Sequence, residues 1–339
     1  MRQSKQIREF IIKNVEQNPN TISSMVSDKF GISRQAVNRY FHNLLEEGIL
    51  LAKGKTRNRT YELIPITDRI FPIIIAPEFD EDRVWRQYLA DLFVEFKRNV
   101  IAICHYGFTE MYNNVIDHSE GEEAIVAFKH IPGKIELTVI DDGIGIFNKI
   151  TRELGLEDKR QAILELAKGK FTTDPEHHTG EGIFFTVRMF DKFSIMSEEL
   201  YFSHDIHDEW LMEHRKDISK GTYIRMQIGT DSSRTIKEVF DKYSGQEYDI
   251  GFKRTHVPLR LASHGGENLV SRSQAKRVLA RFDRFEEILL DFTGVDLIGQ
   301  AFADEIFRVF SNNNPDKKIL YFGANKDIKK VIEKVTANL

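Results

Sequence analysis

The sequence holds one cysteine and two tryptophans among 339 residues. A single thiol, Cys104, excludes an internal disulfide framework and any zinc cluster built on cysteine. It lies in the apolar run IAICHYGF, where a thiol reads as core and not as a nucleophile. No apolar run reaches the roughly 18 residues of a membrane-spanning helix. The opening, MRQSKQIREF, is charged throughout and lacks the apolar segment of a secretory signal. Internal repeats and low-complexity tracts are also absent. These absences predict a soluble cytoplasmic protein that avoids membranes.

What is present is ordinary in amount and uneven in place. Hydrophobic residues make up 41% and charged residues 29%. The length exceeds what one core usually serves, so two or three domains are expected. Net charge is −4, yet residues 1–64 hold eleven Lys and Arg against six Asp and Glu. A basic head on an acidic body assigns any nucleic-acid contact to the head.

Ile7, Phe10, Ile11 and Val15 form an amphipathic stripe over 4–18. Thr21 reads as the cap of a second helix carrying Ile22, Met25, Val26 and Phe30. Ser33 caps a third, through Ala36, Val37, Tyr40, Phe41, Leu44 and Leu45. Two short apolar strands then flank the polar tip AKGKTRNR, a β-hairpin pattern. Three helices and a hairpin read as a winged helix-turn-helix over 1–64. Arg34, Gln35, Asn38, Arg39 and Asn43 stand between the apolar positions of the third helix, suited to reading base edges. Lys53, Lys55, Arg57 and Arg59 at the wing suit phosphate or minor-groove contact. The same head could instead serve protein contact or dimerisation; its basic charge favours duplex DNA.

Pro65, Pro72 and Pro77 break the pattern and mark a linker at 65–79. Residues 81–118 read as one or two long helices, 123–130 and 134–141 as paired strands. Helices at 157–168 and 183–192 enclose a loop at 169–182, and strands run to about 230. In the tail, strands at 252–261, 287–292 and 318–322 alternate with helices at 271–282, 299–311 and 325–335. That alternation predicts a small α/β domain at 233–339.

Three segments carry chemistry. FTEMYNNVIDH at 108–118 places Glu110, Asn114 and His118 on one helix face, offering a carboxylate base and an amide oxygen for Mg²⁺. Taken alone, that face reads rather as a solvated polar stripe. VIDDGIGI at 139–146 sets Asp141, Gly143 and Gly145 just past an apolar strand. The carboxylate can accept from an exocyclic amine, and the glycines admit a flat base; an acidic Asp-Gly turn has the same look. HTGEGIFFTVRMF at 178–190 puts Thr179, Gly180 and Gly182 before an apolar helix, whose amides suit phosphate.

In order and spacing, the three segments together resemble the N, G1 and G2 boxes of the GHKL superfamily of gyrase, heat-shock chaperone, histidine kinase and mismatch-repair ATPases. Their flavour is similar to the anti-sigma-factor serine kinases. The resemblance covers roughly residues 80–230 and implies a Bergerat α/β sandwich over 80–232 that binds ATP with Mg²⁺. It implies that Glu110 polarises the attacking nucleophile, that Asn114 ligates Mg²⁺ and that Asp141 binds the adenine amine. Gly143 and Gly145 would line the base pocket, and Gly180 and Gly182 would meet the phosphates, with His118 and Thr179 in the same boxes. Gly221-Thr222 matches the family's Gly-Thr, and the loop from Gly169 to Gly182 its ATP lid.

The tail segment EEILLDFTGVDLIGQAFADEIF at 286–307 resembles STAS-type anti-sigma-antagonist modules, although any small α/β domain shares that pattern. Where those modules carry a phosphorylatable serine this chain has Gly299-Gln300-Ala301, which argues for a docking or intramolecular control module over phosphoryl acceptance. Two decoys are set aside. AKGKT at 52–56 lacks the first glycine of a Walker A loop, since Ile49 stands there. His204, His207, Asp205 and Asp208 read as a polar loop without metal. His105, so near Glu110, does not serve as a histidine-kinase phosphoacceptor.

The expectation is an α+β multidomain chain in which Mg-ATP controls the winged-helix head or the STAS-like tail. Its partners would be duplex DNA, a protein at the tail and a second copy in a homodimer. The rival is a GHKL serine/threonine kinase or slow ATPase recruited by its head. A third reading is a nucleotide-dependent scaffold of a stress or defence operon.

Overall fold

The computed structural model describes residues 2–54, 59–76, 78–169, 180–205, 210–214, 220–243, 253–263 and 268–337. It begins with α1 (Arg2–Asn14), α2 (Ile22–Phe30) and α3 (Arg34–Glu46). Ser33 caps α3, accepting from the Ala36 amide at 3.3 Å. Thr21 does not cap α2, because its hydroxyl turns to Met25 Sδ at 3.8 Å. The antiparallel strands β1 (Leu50–Lys53) and β2 (Thr60–Leu63) follow, with Leu50 opposite Leu63. Lys55 and Arg57 lie outside the described residues.

Residues 65–79 are not simply a linker. They contain β3 (Thr67–Ile74), the edge strand of the large sheet. Pro72 suggested a break, but on an edge strand its missing N–H can face away from the one neighbour. Next, α4 (Glu81–Val84) runs into a π-helical turn (Trp85–Leu89) and a 3-10 turn (Ala90–Phe93). The chain turns there because Phe93 enters the core, stacking on Trp85 at 5.0 Å and meeting Phe128 edge-on at 5.1 Å. Only then does α5 (Arg98–His118) begin.

After α5 come β4 (Glu123–Ile131), β5 (Lys134–Asp141), α6 (Ile146–Leu154), α7 (Lys159–Lys168) and α8 (Gly182–Met189). Then follow β6 (Lys192–Ser197), β7 (Leu200–Asp205), β8 (Trp210–His214), β9 (Thr222–Gly229) and α9 (Ile236–Tyr243). The sheet is antiparallel throughout, in the order β3-β4-β5-β9-β6-β7-β8. Val126, Phe128, Leu137, Val139, Ile195 and Met226 alternate onto its buried face, whereas Ile70 and Ile74 on β3 are exposed. His204 belongs to β7 and is buried, its ring tilted against Trp210 at 4.3 Å, so it is not a loop residue; His207 and Asp208 fall outside the described residues.

The tail alternates as its sequence predicts. It comprises β10 (Arg254–Pro258), α10 (Arg272–Leu279), β11 (Glu287–Asp291) and α11 (Gln300–Ala303). A π-helical stretch (Asp304–Phe310) continues α11 into α12 (Ser311–Asn313), before β12 (Lys318–Phe322) and α13 (Lys326–Thr336). The three strands are parallel, in the order β10-β11-β12.

Among the described residues, the head has its own core, from Ile7 to Leu50, and the central sheet and tail share another. The expected boundary near 232 is therefore no gap in packing: Phe240 and Tyr243 of α9 sit edge-on to Phe185 and Phe184 at 4.3 and 5.1 Å. No described helix is long and apolar enough to cross a membrane.

Two cores predict two unfolding events. Phe41→Ala, at a buried position of the head, should cost about 3–5 kcal/mol. In calorimetry it should lower a head transition and leave the main transition in place. A single transition that moves as a whole would contradict separate cores.

Candidate functional site

β5 and β9 end together, with Asp141 opposite Thr222. Asp141 Oδ1 accepts from the Gly143 amide at 2.9 Å and the Thr222 amide at 3.2 Å. Thr222 Oγ1 in turn accepts from the Ile146 amide at 3.0 Å, at the start of α6. Burial raises the Asp141 pKa above the usual carboxylate range, against the pull of these hydrogen bonds. The turn after Asp141 passes tightly under the end of α5. The Ile144 amide donates to Ser119 O at 2.8 Å, and a Cβ at Gly143 would collide with that same carbonyl.

Along α5, Asn114 and Glu110 are one turn apart. Asn114 Nδ2 donates to Glu110 O at 2.7 Å, which leaves its Oδ1 as the acceptor to offer. Glu110 packs on the first residue of α8: a Cβ at Gly182 would collide with its carboxylate. This is the close approach for which glycine is needed. Tyr106, one turn earlier, bonds the Glu110 carboxylate, and burial and that charge push its pKa up.

These groups surround one cavity of about 290 Å³. Glu110, Asn114, His118, Asp141, Gly145, Gly180, Gly182 and Thr222 line it. Gly143 shapes the turn behind Asp141 and does not line the cavity. Thr179 lies outside the described residues. The pattern missed Ile146, Lys149 and Ile150, which α6 presents at helical spacing directly after the glycine turn. It also missed Leu166 of α7. Lys149 is held by Glu120 at 3.0 Å.

The arrangement brings a buried acceptor, a carboxylate, an amide and a glycine helix start onto one cavity. Among the described residues no three His, Cys, Asp or Glu side chains cluster as metal ligands. An ion at Asn114 would thus take most of its oxygens from ligand and water, the usual habit of Mg²⁺.

At the head, Arg34, Gln35, Asn38, Arg39 and Asn43 are all exposed on α3. Lys53 pairs with Glu62 at 2.7 Å, and Arg59 lies over the Tyr61 ring at 5.5 Å. The wing's basic charge is therefore partly compensated.

Residues 274–329 match the family model of a STAS-like domain of unknown function (DUF4325). The STAS-like segment takes in most of α10, both later strands and the start of α13, so the tail resemblance holds there. Comparison with curated proteins gives no match.

Because folding raises the Asp141 pKa, its charged form opposes folding at neutral pH, and that penalty is relieved as pH falls through the raised value. Asp141→Asn should therefore be no less stable than the parent at pH 7, with its advantage shrinking on acidification. Urea titrations across pH check this; a variant clearly weaker at pH 7 would show that the carboxylate charge stabilises the fold.

Proposed function

We propose that this chain is an adenine-nucleotide-binding regulator: Mg-ATP in the central cavity controls the head or the STAS-like tail. The carrying observation is that the buried Asp141 acceptor lines the same cavity as Glu110, Asn114 and the glycine start of α8. An antiparallel sheet with α5 and α8 packed beside it supports reading this part as a GHKL-type Bergerat sandwich. Adenine presents a donor amine where guanine presents a carbonyl oxygen, so a carboxylate selects adenine. Amides at a helix start suit phosphates.

Three helices with an exposed Arg, Gln and Asn face, closed by a hairpin, support a winged-helix reading with DNA as partner. The tail supports docking. Gln300 begins α11 and is exposed, so no hydroxyl stands there to accept a phosphoryl group. The Tyr106–Glu110 contact favours a second reading, slow ATP hydrolysis, since it holds a carboxylate ready beside the cavity.

Calorimetry tests the central claim. ATP or ADP with Mg²⁺ should bind in the micromolar range, GTP far more weakly, and Asp141→Asn should abolish binding with the fold intact. Equal ATP and GTP affinity would refute the pocket. Any turnover should depend on Glu110. Glu110→Ala should keep nucleotide binding and lose roughly 10²–10⁴ in rate; unchanged turnover would remove it from the mechanism. For the head, Arg34→Ala or Arg39→Ala should cost about 1–3 kcal/mol, chiefly on a preferred genomic duplex. Equal loss on random duplex would make these phosphate contacts.

A further inference from the structure

The C-terminal ends of α7 and α10 meet in the core shared by the central sheet and the STAS-like tail. A helix leaves its last carbonyls without partners of its own. Here side chains from elsewhere take them. Ala167 O accepts from Arg188 at 3.4 Å, Lys168 O from Thr255 Oγ1 at 2.7 Å, and Gly169 O from Arg281 at 3.1 Å. Thr255 lies on β10 and Arg281 just past α10, so the tail supplies two of these caps.

The exchange is mutual. Lys168 Nζ donates to Arg277 O at 3.2 Å and Ala280 O at 3.1 Å, at the end of α10. Each helix end thus receives a cation from the other's neighbourhood, the sign that its dipole favours. Glu165 balances both cations, meeting Lys168 at 2.5 Å and Arg281 at 3.0 Å. Lys168 is wholly buried and Glu165 nearly so. Arg281 adopts φ 65°, a left-handed conformation that costs a non-glycine residue energy and persists when its surroundings hold it there.

The same helix faces the cavity. Leu166, between Glu165 and Lys168, lines it. Gly182 and Phe184 of α8 line it too, and Arg188 of α8 reaches His256 O of β10 at 3.4 Å. Two walls of the cavity are therefore fastened to the tail by buried hydrogen bonds.

We infer that this reciprocal cap couples nucleotide binding to docking of the STAS-like tail, with positive sign; the inference rests on the nucleotide reading above. A docked tail fixes the ends of α7 and α8 in advance, so a ligand has less left to order. By linkage, the ligand must strengthen docking by the same factor.

The test uses the full chain and Mg-ATP as probe. Arg281→Ala and Thr255→Val should each weaken Mg-ATP binding, the stronger effect falling within about 5–150-fold. In the unaltered chain, Mg-ATP should slow amide exchange in β10 and α10. If Arg281→Ala does not fold, Thr255→Val and the exchange measurement still decide. Should the unaltered chain bind Mg-ATP while neither the variants nor tail exchange respond, the coupling is refuted and the nucleotide reading stands. Absence of Mg-ATP binding in the unaltered chain would overturn both.

Discussion

The candidate site hangs on one buried carboxylate at the foot of the sheet. Asp141 ends β5 opposite Thr222 on β9, and both the Gly143 and Thr222 amides point at its Oδ1. A buried charge is tolerated when donors surround it. Those donors also fix the path of the chain. The turn through Gly143 passes beneath the end of α5, and Thr222 reaches the start of α6. In this way the helix with Glu110 and Asn114, the helix with Lys149 and two central strands meet around one cavity.

Much of this was legible before any coordinates. Period-3.6 stripes located the head helices, alternation located β4, β5 and the tail strands, and motif order brought Glu110, Asn114, Asp141 and Gly182 to one cavity. The failures have physical causes. Pro72 hid β3, because a proline's effect depends on which strand edge it occupies. Phe93, turning into the core, sets the break before α5 in the stretch that reads as one or two long helices. The roles of Leu166 and Lys168 were not legible, since nothing local reveals that the tail folds back onto α7. Contacts made across more than a hundred residues leave no periodic trace.

Packing divides the chain differently from sequence. The head keeps its own core and joins the rest through limited contacts, including the Lys134–Glu16 ion pair and the step from β2 into β3. The tail, by contrast, shares its core with the central sheet. Buried polar contacts through Glu165, Lys168 and Arg281 join α7 to the tail.

The most direct test of the site uses an azido-adenine analogue of ATP that crosslinks under light, with the labelled peptides mapped by mass spectrometry. The account predicts label on the stretch from Asp141 to Ile150 or beside Thr222, prevented by excess ATP but not by GTP. Label confined to the head or tail, or equal protection by GTP, would contradict it.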